Sequence, residues 1–308
     1  MKVLVTGANG FLGQALCRIL GTDRDVVALG SRDADLTRTG SLEALESTKV
    51  ARIYHLAART QPGDYARRHT GEQFLANQQI DLTVLTWWMR HQHTAKLVTI
   101  GTSAAYAPEE ATREENYLVG SPVADWYYYA SAKRSLLLGQ RAVQEQYKLD
   151  HLTVVPSALY GPGYPVHRKR MNFVLDITWK VLNHKHHGTR IILWGNGSQR
   201  REAVFVDDFV KTMLALDAVV TNEVVNIGAG EGFTIQEFAN TVCDLTQVDP
   251  SIIEYDASRG VGAKSKILNN EKLDRLLPSR TFVPLRVGLA SVIEYLEPLV
   301  IARTPIVS

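Results

Sequence analysis

The sequence predicts an α/β protein: a doubly wound parallel sheet with a smaller C-terminal α/β substrate lobe. Three observations predict it. Short apolar runs alternate with helical periodicity through the first 160 residues, the pattern of a parallel sheet covered on both faces. A glycine-rich turn separates the first run from the first helical pattern. After Gly161 the alternation weakens into loops and short strands, which marks a second lobe.

In order, "KVLVTGANGFLGQALCRIL" is a buried strand, a turn and an amphipathic helix. "DVVALGS" is a second strand, "ARIYHLAA" a third, "KLVTIGTSAAY" a fourth and "HLTVVPSALYGPG" a fifth. "GPGYPVHRKRMNF" is a loop, "RIILWGNGSQRREAVFVDDFV" holds a short strand, and further helical segments follow. "EAVFVDDFVKTMLAL" and "EVVNIGA" rejoin the first domain. The expected domains are residues 1–160 with about 203–230, and 161–202 with about 231–308.

The 308 residues are 45% hydrophobic and 21% charged, as in a water-soluble globular protein. A net charge of +2 argues against a nucleic-acid partner. No stretch approaches the length of a membrane span, and the N-terminus is too poor in apolar residues for a signal peptide. Cys17 and Cys243, in no metal-like spacing, fit a reducing cytoplasm. "HKHH", residues 184–187, reads as a solvated helix end rather than a metal site. "HRKR", residues 167–170, reads as a solvated loop able to steer an anion. Trp87 and Trp88 are adjacent on one helix and cannot share a narrow face. One of them is expected to pack against a partner subunit, with a wide groove inside the domain as the alternative.

Gly7, Gly10 and Gly13 follow the first strand at the spacing of a dinucleotide-binding turn, so the fold is expected to be Rossmann-type. The first permits the tight turn. The second lets a pyrophosphate approach backbone N–H groups, and the third lets helix and strand pack closely. Asn9, Phe11 and Leu12 complete the turn that would line the cofactor. An acid at the end of the second strand would bond a ribose hydroxyl and repel a 2′-phosphate; here Gly30, Ser31 and Arg32 stand instead, which favours NADP. Asp33 is adjacent and could swivel in. Asp35 and Leu36 stand where an adenine could be bonded and covered.

In "DWYYYASAKRSLL" only Tyr129 stands four residues before Lys133, on the same helix face. A nearby ammonium is expected to lower the phenol from its ordinary value of about 10 toward useful acidity. "IGTSAAY" supplies hydroxyls at Thr102 and Ser103. Tyr127 and Tyr128 would pack or line the substrate mouth.

With "TGANGFLG", "HLAA", "GTSAAY", "YASAK", "PSALYGP", "WGNGSQRREAVFVDD", "VNIGAGEGFTI" and "DASRG" in this order, the chain resembles the extended short-chain dehydrogenases/reductases that modify nucleotide sugars. Within them it is most similar to the GDP-L-fucose synthase group. The resemblance covers nearly the whole chain. It implies Thr102, Tyr129 and Lys133 as the catalytic set, with Leu56, Ala57, Ala58, Pro156 and Leu159 along an NADP(H) cofactor. It also implies a GDP-linked substrate near Ser103, Ala104, Asn172, Trp194 and Arg201, and a homodimer built from helices around residues 77–92 and 126–146.

Two departures shape the expected activity. Epimerising relatives carry a cysteine where this chain has Ala104 and a histidine where an ungapped alignment puts Asn172. Neither can move a proton on a sugar carbon at neutral pH, and Asn172 instead resembles an asparagine that holds a phosphate. A shift in the loop would bring His167 to the histidine's place. "AKSK" replaces the usual Arg-Pro-like pair, so Lys264, or else Lys266, is expected at the phosphates. The implied activity is reduction of a 4-keto-6-deoxy nucleotide sugar without inversion at C3 or C5. A bifunctional epimerase–reductase, another epimerase or dehydratase, and a silent NADP-binding protein are the rivals.

Overall fold

The computed structural model describes residues 2–21, 25–60, 68–166, 171–260 and 262–302. Residues 167–170, with His167 among them, lie outside the described residues. In chain order the elements begin β1 (Lys2–Thr6), α1 (Phe11–Leu20), β2 (Asp25–Leu29), β3 (Arg52–His55) and α2 (Thr70–His91). They continue with β4 (Lys96–Ile100), α3 (Tyr127–Tyr147), β5 (His151–Pro156), β6 (Ala158–Tyr160), α4 (Phe173–His187) and β7 (Ile192–Trp194). Next come β8 (Arg200–Arg201), β9 (Ala203–Phe205), α5 (Val206–Val219), β10 (Glu223–Ile227), β11 (Phe233–Thr234) and α6 (Ile235–Thr246). β12 (Glu254–Asp256), β13 (Ser265–Lys266), α7 (Glu271–Leu276) and α8 (Leu285–Ile301) close the series.

The chain forms two compact units. The first holds Met1–Pro156, Phe209–Ile227 and Asn269–Arg280; the second holds Ser157–Asp208, Gly228–Leu268 and Thr281–Ser308. The sequence-based boundaries therefore move. Residues 157–160, 203–208 and 228–230 fall in the second unit, and 269–280 fall in the first. The apolar run "HLTVVPSALY" breaks at Ser157, because β5 pairs with β10 whereas β6 pairs with β9. The return at 269–280 has little sequence signal, since α7 is six residues long and buries only Leu273.

Six parallel strands in the order β10-β5-β4-β3-β1-β2 make the sheet of the first unit. Thr6 pairs with both Leu29 and His55, so the carboxyl ends of β1, β2 and β3 are level. Ligands of open α/β sheets bind at that edge. Val3, Leu4, Val5, Ile53, Tyr54, Leu97 and Val98 are buried, as strands covered on both faces require. Trp87 and Trp88 both join Val84, Leu97 and Leu136 in one core cluster, which corrects the expected partner contact. α2 packs along α3, and a helix pressed on two sides can bury adjacent residues. The Trp88 indole N–H donates to the Ala95 carbonyl at 2.9 Å.

In the second unit, β11-β8-β13 form one small sheet and α4, α6 and α8 pack on one another. Their core holds Leu175, Leu182, Phe238, Val242, Leu289 and Leu296. α6 opens with a capping box, in which Thr234 and Glu237 satisfy each other's backbone N–H groups. The histidine run ends α4 ahead of Gly188, whose φ of +66° closes the helix. Lys185 and His186 both contact Glu297 at 2.8 Å, and His184 lies 2.8 Å from the Thr189 carbonyl. Among the described residues no helix is long and apolar enough to cross a membrane.

Candidate active site

The glycine turn follows β1. Gly7 has a φ of +71°, and a Cβ there would lie 2.7 Å from the Ala57 amide nitrogen, so the turn presses on the end of β3. A Cβ on Gly13 would stand 2.2 Å from the Gly7 carbonyl oxygen, so helix and turn also touch backbone to backbone. Gly10 caps α1 without a side-chain hydrogen bond, and no acid occupies the first turn. Those N–H groups and the positive end of the helix suit a pyrophosphate.

At the end of β2 the Asn9 side chain fills the space a side chain on residue 30 would need; a Cβ on Gly30 would lie 2.0 Å from Asn9 Nδ2. Asp33 is turned back on its own loop, where it accepts the Gly30 amide proton at 2.8 Å. Ser31 and Arg32 are exposed. Leu36 is buried in the core cluster. Asp35 is at the surface and accepts from the Thr37 hydroxyl and amide, which with Arg38 hold its carboxyl below the usual range.

Leu56, Ala57 and Ala58 follow β3 at half-buried positions. Beneath them runs a buried chain that sequence reasoning missed. Thr6 Oγ1 is 2.7 Å from His55 Nδ1, and His55 Nε2 is 3.0 Å from Asp81 Oδ1. The signal available was His55 in "HLAA"; Asp81 lies on α2 with nothing in the sequence to connect it.

Thr102 follows β4 and caps a short turn over Ser103–Ala105. Its hydroxyl oxygen accepts the Ala104 amide proton at 3.3 Å, which leaves its own proton to donate. Its backbone N–H donates to the Tyr117 hydroxyl at 3.1 Å. Ser103 is half-buried and Ala104 is buried.

On α3, Lys133 is buried and Tyr129 half-buried, whereas Tyr127 and Tyr128 are 43% and 53% exposed, so the helix turns one tyrosine of the three inward. Tyr127, Tyr128 and Tyr129 line a cavity of about 180 Å³ with Thr70, Gln73 and Trp126. Burial pushes the Tyr129 phenol up, and Tyr117 and Asp81 push it the same way. This corrects the expected downward shift: loss of hydration, with Tyr117 and Asp81 beside it, sets the direction. Tyr129 is therefore a protonated phenol at neutral pH, able to donate rather than accept.

In the second unit, Asn172 caps α4. Its Oδ1 accepts the Leu175 amide proton at 3.2 Å, and its Nδ2 donates to the Leu159 carbonyl at 2.6 Å. One amide hydrogen is left over for a phosphate. Trp194 is half exposed, with the Arg259 guanidinium 5.3 Å from its ring centroid. Arg201 donates to the Arg200 and Ala263 carbonyls at 2.8 and 2.9 Å. The lysine beside it is Lys266, its register partner; Lys264 is exposed and meets this strand only through its carbonyl, which accepts the Arg200 amide proton at 2.8 Å. Burial, then Arg201, lowers Lys266 to about 8. Two adjacent cations, one depressed by the other, form a site that an anion relieves. Pro156 closes β5 and Leu159 sits in β6, both half-buried.

A family model described as the NAD dependent epimerase/dehydratase family matches residues 3–228. The chain is 28% identical to the probable GDP-L-fucose synthase 1 of Oryza sativa subsp. japonica, over 98% of this chain and 94% of that one. It is 25% identical to the GDP-L-colitose synthase of Yersinia pseudotuberculosis, over 96% and 97%. Its fold matches the solved GDP-L-fucose synthetase from Naegleria fowleri bound to NADP with a TM-score of 0.84, at 22% identity over 96% of this chain and 93% of that one.

Proposed function

The chain belongs to the NAD dependent epimerase/dehydratase family, and we propose that it reduces the C4 ketone of a GDP-linked 4-keto-6-deoxy sugar with NADPH, without inverting C3 or C5. The observation that carries this reading is the inward Tyr129 with Lys133 and Thr102, next to a buried Ala104 that has no ionisable group. The glycine turn fits the cofactor, because Gly7 and Gly13 leave no room for a Cβ and so hold turn, strand and helix close, with Gly10 bare at the helix N-terminus. Ser31 and Arg32 suit its 2′-phosphate. When bound, the dihydronicotinamide supplies the hydride.

The protein groups then act as follows. Thr102 Oγ1, already accepting from Ala104, donates its proton as a hydrogen bond to the C4 oxygen. Tyr129, kept protonated by burial, transfers its phenol proton to that oxygen as carbon 4 is reduced. Lys133 offsets the phenolate left behind and holds the nicotinamide ribose. The first unit carries the cofactor residues other than Leu159. In the second, Arg201 and Lys266 hold the diphosphate, Asn172 adds one N–H, and Trp194 and Arg259 face the base.

Inversion at C3 or C5 needs one group to remove a carbon-bound proton and another to return one on the opposite face. Ala104 can do neither, and the Asn172 carboxamide has no proton to exchange near neutral pH, unlike a cysteine or histidine. The chain is proposed to act as a homodimer through exposed Leu75, Leu82 and Leu138 on α2 and α3, in the cytoplasm, where Cys17 and Cys243 stay free thiols.

The test is NADPH consumption against GDP- and UDP-linked 4-keto-6-deoxy sugars in deuterated water, with products identified by NMR. A C4 alcohol without deuterium at C3 or C5 is expected. Deuterium there, faster than in an enzyme-free control, overturns the reductase-only reading; His167→Asn then tests whether His167 is the missing base.

A further inference from the structure

Tyr117 is 1% exposed and lies outside every motif of the sequence, in the turn just after the helical residues Glu114–Asn116. Its hydroxyl accepts the Thr102 amide proton at 3.1 Å. The strand end is shaped to receive that hydroxyl: a Cβ on Gly101 would stand 2.8 Å from it. The ring is fixed by Tyr106, edge-on at 5.5 Å, and the Tyr106 hydroxyl donates in turn to Asn226 Oδ1 at 2.7 Å. The chain after Tyr117 is tied to α3, where Arg134 donates to the Val119 and Gly120 carbonyls at 2.7 Å each. Arg134 directly follows Lys133 on the helix that carries Tyr129. A connected path results, from α3 through Arg134 to the 119–120 carbonyls, back to Tyr117, and across to Thr102.

We propose that Tyr117 is a positioning residue: it clamps the Thr102 backbone and so sets where the Thr102 hydroxyl stands relative to Tyr129. The inference rests on the reading of Thr102 as hydrogen-bond donor to the reacting oxygen. A buried tyrosine hydroxyl could serve stability alone. The clamp predicts more, because a shift of a catalytic group by a fraction of an ångström acts on the chemical step and not on binding. The hydroxyl also gives the Thr102 amide a buried partner that Phe cannot supply.

The experiment compares wild type, Tyr117→Phe, Thr102→Ala and the double variant. In Tyr117→Phe, kcat is expected to fall about tenfold, while the KM for the GDP-linked keto sugar and the Kd for NADPH change less than about twofold. The kinetic isotope effect with NADPH deuterated at the transferring position rises. The double variant is no slower than Thr102→Ala, because Tyr117 acts through Thr102. Unchanged kcat, or losses that multiply in the double variant, overturns the proposal. Wild-type turnover in Thr102→Ala instead removes the reading of Thr102 itself. The clamp also has a readout that needs no substrate. Hydrogen exchange of the Thr102 amide should speed up about tenfold in Tyr117→Phe, and in Gly101→Ala, which pushes the hydroxyl away. Unchanged exchange in both overturns it.

Discussion

Lys266 stands directly across a parallel ladder from Arg201, and the two cations share one small sheet. Burial and this neighbour depress Lys266 to about 8. An anion between them favours the charged lysine and raises its value, so binding takes up a proton where free Lys266 is partly neutral. GDP affinity should hold below pH 8 and weaken as pH rises through 8 and beyond. Calorimetry in buffers of different ionisation enthalpy reads the proton uptake. Lys266→Met should weaken GDP binding and flatten this dependence, and Lys264→Met should leave it intact. A pH-independent affinity in the wild type contradicts the assignment.

Asn9 occupies the space at Gly30 where relatives specific for NAD place an acid. Arg32→Ala should weaken NADPH about tenfold and leave NADH within about twofold, since only the 2′-phosphate contact is lost. Gly30→Asp alone should weaken both cofactors, because Asn9 blocks the new side chain. Fluorescence titration of the two cofactors decides. Tighter NADH than NADPH in the wild type would refute the NADP reading.

Tyr129→Phe should lower kcat at least about a hundredfold with NADPH still bound, because the proton donor alone is lost. Tyr127→Phe and Tyr128→Phe leave Tyr129 in place and should retain most turnover. Because burial raises the Tyr129 value, the donor stays protonated across neutral pH. Turnover should therefore show no loss from this group between pH 6 and 9. Near-full activity in Tyr129→Phe overturns its role.

Leu75 and Leu82 are 68% and 54% exposed and seven residues apart on α2, hence on one face. Leu138 is 54% exposed on α3, which packs along α2. Exposed leucines on paired helices suit an interface. Light scattering should give a dimer for the wild type and a shift toward monomer for Leu82→Glu. A wild-type mass of one chain at all concentrations would rule the interface out.

Short-range pattern carried much of this protein into the sequence. Strand–turn–helix periodicity placed Gly7, Gly10 and Gly13, and a four-residue spacing singled out Tyr129 from three neighbouring tyrosines. Ala104 was legible as a departure because its motif is contiguous. All of these depend on residues a few positions apart, where helix and strand geometry alone decides which side chains meet. What lies farther apart along the chain was decided by tertiary structure. Ladder register, and not proximity in sequence, puts Lys266 rather than Lys264 beside Arg201. Packing on two sides of α2 buries both Trp87 and Trp88. Loss of hydration turns the Tyr129 shift upward, where the spacing to Lys133 alone suggested a downward one. The hydroxyl of Tyr117 reaches Thr102 over a sequence separation of 15 because Gly101 leaves it room, and no local pattern tells which distant side chain fills that room.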